Sequence, residues 1–177
     1  MTSFTAFFGD GFTGMDWHRL LGPLDAPPIV TFGDVLDPGH RALMPILESL
    51  VSVRAACIHY AHYVRRGELQ AKQRREIACA LEAAARQGAL WPYHRLLLTG
   101  NISLNRAGLI HRARFLGLDA ERFEHDLVSQ EVGAAIDRDA AWAEELHIER
   151  LPAIVIGGRR YDGSLQRSEI LAALSGA

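Results

Sequence analysis

Residues 28–33 read Pro-Ile-Val-Thr-Phe-Gly, a short run that is apolar apart from Thr31, with Pro27-Pro28 at its front and Gly33-Asp34 behind it. A run so short and so apolar predicts a strand covered on both faces, because a half-exposed strand would alternate with polar residues. A helix start follows almost at once. Asp37 has an N-cap side chain, Pro38 suits the first helical position, and Leu43, Ile46, Leu47 and Leu50 then recur at helical spacing. Val53 to Tyr60 reads as a second strand. Strand, helix and strand in immediate succession imply parallel strands joined by a crossover.

From about residue 70 to 147 the pattern is helical throughout. Ile77, Leu81 and Ala84 line a helix that Gly88 stops, and Trp91 to Leu98 form a second with Pro92 in its first turn. Ser103 or Asn105 starts a third, and Asp119 caps a fourth. Val132, Ile136, Ala140, Ala143 and Leu146 make a last long stripe. The carboxyl end reverts to β: Pro152 to Ile156 is a strand, Gly157-Gly158 a hairpin turn, and Arg159 to Asp162 the return, after which Ser164 caps a final helix. The expected architecture is α/β, a β-α-β half and a β-β-α half with an all-helical insertion between them. Residues 1–27 form a lead-in packing on a single domain of residues 28–177.

Composition narrows the function classes. With 49% hydrophobic and 23% charged residues the chain is ordinary globular material. No apolar run approaches the ~20 residues that span a bilayer, so no membrane partner is expected. Basic and acidic residues number 19 and 21, a net charge of −2 that supplies no field for nucleic acid. Arg65-Arg66, Arg74-Arg75 and Arg159-Arg160 read as solvated surface. The opening residues lack the basic leader and cleavage site of an export signal, so the expected location is cytoplasmic. The aromatic series Phe4, Phe7, Phe8, Phe12 and Trp17 is expected to pack over the core. Cys57 and Cys79 fit no Cys-x-x-Cys or zinc pattern and read as buried free thiols, and neither a metal nor a cofactor is expected. His59 and His62 suggest a metal only superficially, because residues three apart on a strand face opposite ways.

Several stretches resemble bacterial DsbA-like domains. His18-Arg-Leu-Leu-Gly-Pro-Leu-Asp-Ala-Pro27 looks like their lead-in, and Thr31-Phe-Gly-Asp34 resembles the strand end before their Cys-Pro-x-Cys. Ala83-Ala-Ala-Arg-Gln-Gly-Ala-Leu-Trp-Pro-Tyr-His94, Leu116-Gly-Leu-Asp119 and Arg150-Leu-Pro-Ala-Ile-Val-Ile-Gly-Gly-Arg-Arg-Tyr161 resemble further landmarks, the last beginning near the cis-proline. The resemblance implies a thioredoxin fold. It places Asp37 at the nucleophilic cysteine, His40 at the resolving cysteine, Pro38 at the proline between them and Pro152 at the cis-proline.

The dithiol is therefore missing, and Asp and His cannot perform thiol exchange. Asp37, Pro38, Gly39, His40, Leu151 and Pro152 are the candidate binding residues, for a peptide or protein partner docking by main-chain pairing. Asp37 and His40 are also candidate catalytic residues, an acid-base pair on one helical face, with the helix N-terminus lowering the histidine pKa. Such an enzyme would belong near the glutathione-linked branch of the fold, the kappa-class transferases and chromene-carboxylate isomerases. A carboxylate at the first position disfavours glutathione, since it opposes a bound thiolate. A thiol-disulfide oxidoreductase working through Cys57 or Cys79 is the least favoured reading, for neither thiol sits at a helix start.

Overall fold

The computed structural model describes residues 17–64, 67, 70–99 and 103–176. Phe4, Phe7, Phe8, Phe12 and Arg65-Arg66 fall outside them. A single 3₁₀ turn, Trp17–Arg19, leads into β1 (Leu20–Leu21), β2 (Pro28–Gly33), α1 (Pro38–Ser52) and β3 (Cys57–His62). Five helices follow: α2 (Ala71–Ala85), α3 (Leu90–Thr99), α4 (Arg106–Phe115), α5 (Ala120–Asp126) and α6 (Gln130–Glu145). β4 (Ala153–Ile156), β5 (Arg159–Arg160) and α7 (Arg167–Ser175) complete the chain. None of these helices is long and apolar enough to cross a membrane.

The strands form one sheet in the order β1-β3-β2-β4-β5. β2 and β3 are parallel, with Pro28 opposite Cys57 and Gly33 opposite His62, while the β1–β3, β2–β4 and β4–β5 pairs are antiparallel. Every residue of β2, β3 and β4 is buried, because both faces are covered. Alternation sends Ile29, Ile58, Tyr60, Ile154 and Ile156 into the larger core, shared with α1, α2, α3 and α7. Val30, Phe32, Ala61 and Val155 face the other way, where Trp142 and Ala143 of α6 pack; the Phe32 and Trp142 rings are 5.1 Å apart.

Local signals place most helix starts. Asp37, Asn105, Asp119 and Ser129 each accept a backbone N–H from the first turn of the helix that follows. Several boundaries differ from expectation: β4 begins at Ala153 rather than Pro152, and the return strand β5 is only Arg159–Arg160, ending before Asp162. Val53 to Ala56 are not strand: α1 runs on through Ser52, the chain turns at Arg54 with φ 58°, and β3 begins at Cys57 in register with Pro28. The last helix takes Gln166 as its N-cap, and Ser164 instead accepts the Gln166 N–H through its hydroxyl at 3.3 Å. Pro45 lies inside α1, where a proline costs ~3 kcal/mol. The helix persists because Leu43, Met44, Leu47 and Leu50 are all buried, each worth about 1.5–3 kcal/mol.

A buried ion cluster joins the lead-in to the helical block. Arg19, 2% exposed, donates from Nε to Glu82 of α2 at 2.9 Å, with its Nη2 in ion-pair contact with the same carboxylate at 2.8 Å, and donates from Nη1 to Asp139 of α6 at 2.7 Å. Asp139 also accepts the backbone N–H of His62 at 2.7 Å. Glu82→Ala would leave Arg19 buried with one carboxylate in place of two. We expect this variant to lose about 3 kcal/mol or more of unfolding free energy in urea titration, and a loss within the range of an ordinary surface substitution would show that the cluster does not secure the fold.

Candidate functional site

The turn before α1 is fixed by two aspartates. Asp34, buried at the end of β2, accepts the Leu36 N–H at 2.8 Å and pairs with Arg74 of α2. Its carbonyl takes the Asp37 N–H at 3.0 Å. Asp37 then caps α1, its carboxylate accepting the His40 backbone N–H at 2.7 Å. Pro38 is exposed and Gly39 is half-buried. Gly39 meets the other candidate segment directly: a Cβ there would fall 2.5 Å from Cδ of Pro152, so only a residue without a side chain lets the proline ring sit against this turn. The Leu151–Pro152 peptide bond is cis, and Leu151 packs on the smaller core with Trp142 and Leu146.

His40 does not join this surface. Its imidazole is fully buried, and its Nε2 lies 3.1 Å from Nε2 of His94 on α3. The Asp37 carboxylate is spent on the backbone N–H, so the expected Asp37–His40 acid-base pair is not formed. Burial lowers the His40 pKa, to about 4. His94 is held well below the usual histidine value by burial and by the neighbouring His40, Arg95 and His62. Two neutral rings satisfy this contact, one donating and one accepting.

Tyr60 of β3 stands at the centre of the group, with the rings of His40, His62, Trp91 and His94 at 5.3–5.9 Å and mostly edge-on. Its phenol is driven to a far higher pKa, first by burial and then by Asp139. From His62 the polar path continues to Glu82, 3.3 Å from its Nε2. Burial works to raise the Glu82 pKa, but the His18 ring at 3.8 Å, the His62 ring at 3.3 Å and the charge of Arg19 outweigh it and keep the group ionised. His59, on the opposite face of β3, is lowered to about 3 by burial and by Arg19. Of the residues around His40, the sequence offers His62 only within a disfavoured metal reading, while Trp91 and His94 lie inside one of the quoted DsbA-like stretches.

Both cysteines are free and buried, Cys57 on β3 and Cys79 on α2. Burial pushes the Cys57 thiol up to about 11 and raises that of Cys79 as well, so neither is a thiolate near neutrality. Among the described residues no three His, Cys, Asp or Glu side chains are placed to hold a metal. An open cleft of about 500 Å³ lies beside the proline loop, lined by residues 147–150, 152, 153, 160–163 and 165.

A profile of the DSBA-like thioredoxin domain matches residues 58–175. The chain belongs to the DsbA-like thioredoxin domain family. Solved structures agree on the DsbA-like fold. A thioredoxin-like oxidoreductase from Silicibacter pomeroyi DSS-3 superposes with TM-score 0.77 at 26% identity, over 89% of this chain and 90% of that one. Pseudomonas aeruginosa DsbA2 superposes with TM-score 0.73 at 23% identity, over 90% and 93%. Curated relatives are of another kind. The Na(+)/H(+) antiporter NhaA of Herminiimonas arsenicoxydans is 40% identical over 97 residues, 55% of this chain and 16% of the antiporter. NhaA 1 of Salinispora arenicola is 29% identical over 167 residues, 92% of this chain and 25% of that protein. The DsbA-like chain thus spans a quarter or less of the length of these relatives.

The buried histidines give the domain an acid limit. An unfolded histidine protonates near pH 6.5, whereas folded His40 resists protonation down to about pH 4. The stability they confer is complete above pH 6.5 and is lost as pH falls toward 4. His40 alone should account for about 1.5 kcal/mol between pH 6.5 and 5. Urea unfolding at these two pH values should show that loss, and His40→Leu/His94→Leu should flatten the slope; an unaltered slope would mean that the pair is not what titrates.

Proposed function

We propose that this is a redox-inactive DsbA-like module that holds an extended polypeptide segment beside the Asp37 turn and the Pro152 loop. One observation carries the reading: the first turn of α1 presents a capping carboxylate and an internal imidazole, with no sulfur, yet Gly39 still packs on Pro152 and a cleft opens along the proline loop. Disulfide exchange needs an attacking thiolate and a second thiol to release the product. Here the aligned positions are Asp37 and His40, while Cys57 and Cys79 are buried and protonated. Such a site supports docking without chemistry, by main-chain pairing and pockets for alternate side chains. Two free thiols suit a reducing compartment, which favours a cytoplasmic location. The likeness to Na(+)/H(+) antiporters favours an antiporter polypeptide as the source of the segment, since most of each relative lies outside the matched region.

Two measurements test this. In an insulin reduction assay the protein should show no turnover above Cys57→Ala/Cys79→Ala; clear thiol-dependent turnover refutes redox inactivity. In ¹⁵N spectra, titration with a capped neutral peptide of alternating Val and Gln should shift the amides of residues 147–165 saturably. If no extended peptide of any charge moves them, the docking reading fails.

A further inference from the structure

Resting on that docking reading, we propose that the segment taken by the cleft is acidic, an extended stretch that brings a carboxylate to Arg150 with apolar residues beside it. The charges of the cleft wall lead to this. Arg160 is already committed: it donates to Asp162 from Nε at 2.7 Å and from Nη2 at 3.3 Å, and its remaining arm reaches the carbonyl of His147. The pair is neutral and rigid, part of the wall rather than a receptor. Glu149 has an interaction of its own. Arg150 is exposed, and among the described residues it meets neither a carboxylate nor a carbonyl. Arg159, on the edge strand next to the cleft, is in the same condition.

A guanidinium with all its donors open accepts a carboxylate in a two-point geometry that no neutral side chain reproduces. Asp37 does not line the cleft, so its carboxylate does not oppose an anion there. The same wall includes half-buried Tyr161 and Leu165, which pack on the main core and offer apolar surface a short way from the charge. An extended chain presents alternate residues to one side, which matches a carboxylate and an apolar side chain in succession on the cleft-facing side. Arg159, exposed on the edge strand, adds a positive charge that would repel a basic strand and tolerate an acidic one.

The test uses three capped, fluorescein-labelled octapeptides in which Val alternates with Glu, Gln or Lys, read by fluorescence anisotropy on the whole chain. The Glu peptide should bind about tenfold more tightly than the Gln peptide, the Lys peptide should bind most weakly, and added salt should erase the difference. Arg150→Gln, an exposed change whose fold is checked by circular dichroism, should remove the Glu advantage while leaving the Gln peptide unaffected. Equal affinity for Glu and Gln peptides, or a Glu advantage that persists in Arg150→Gln, overturns the acidic preference and leaves the docking reading standing. Absence of binding by all three, with no amide shifts at 147–165, overturns both.

Discussion

Arg19 is the charge around which this domain is organised. Its guanidinium is taken from water just ahead of β1, at a cost of several kcal/mol that only well-placed carboxylates offset. Glu82 and Asp139 supply them from two helices far along the chain. Because Asp139 also holds the His62 N–H and Glu82 the His62 ring, the end of β3 is tied to α2 and α6 through the same cluster. The helical block is thereby positioned on the sheet by directed polar contacts as well as by apolar packing, and the position of α3 follows from it.

That chain of contacts reaches the surface at α1. His62 packs against Tyr60, Tyr60 against His94, and His94 meets His40 one turn inside the helix whose cap is Asp37. The first turn of α1 is thus held from two directions, by its carboxylate cap outside and by an imidazole pair within. Its outer side can then accept the Pro152 ring at a distance that excludes even a methyl group at position 39.

Contacts between near neighbours were legible in the sequence. β2 occupies the residues 28–33 that its apolar run marks, and Asp37 and Asp119 cap the helices that follow them. Such features depend on a few adjacent residues, so pattern and cap chemistry suffice. The direction of the His40 ring was not legible, because helical spacing allows both Asp37 and an interior partner, and the partner is 54 residues away. The Arg19 cluster spans 63 and 120 residues and leaves no local trace beyond a charged side chain beside β1. The early limit expected for β3 failed for a related reason: Val53 is apolar and β-branched, but register with β2 rather than propensity decides where pairing begins.

A carboxylate at the start of α1 responds to different chemistry from a thiol there. A thiolate at a helix start disappears on oxidation, and the charge of the site follows the redox state of its surroundings. A carboxylate at Asp37 cannot be oxidised to a disulfide, and His40 in the same turn is buried, its pKa lowered to about 4 by that burial. The cap of α1 is therefore not altered by the redox state of its surroundings. The charge contrast beside the turn lies in the arginines: Arg160 is met by Asp162, whereas Arg150 on the cleft wall and Arg159 on the adjoining edge strand are exposed.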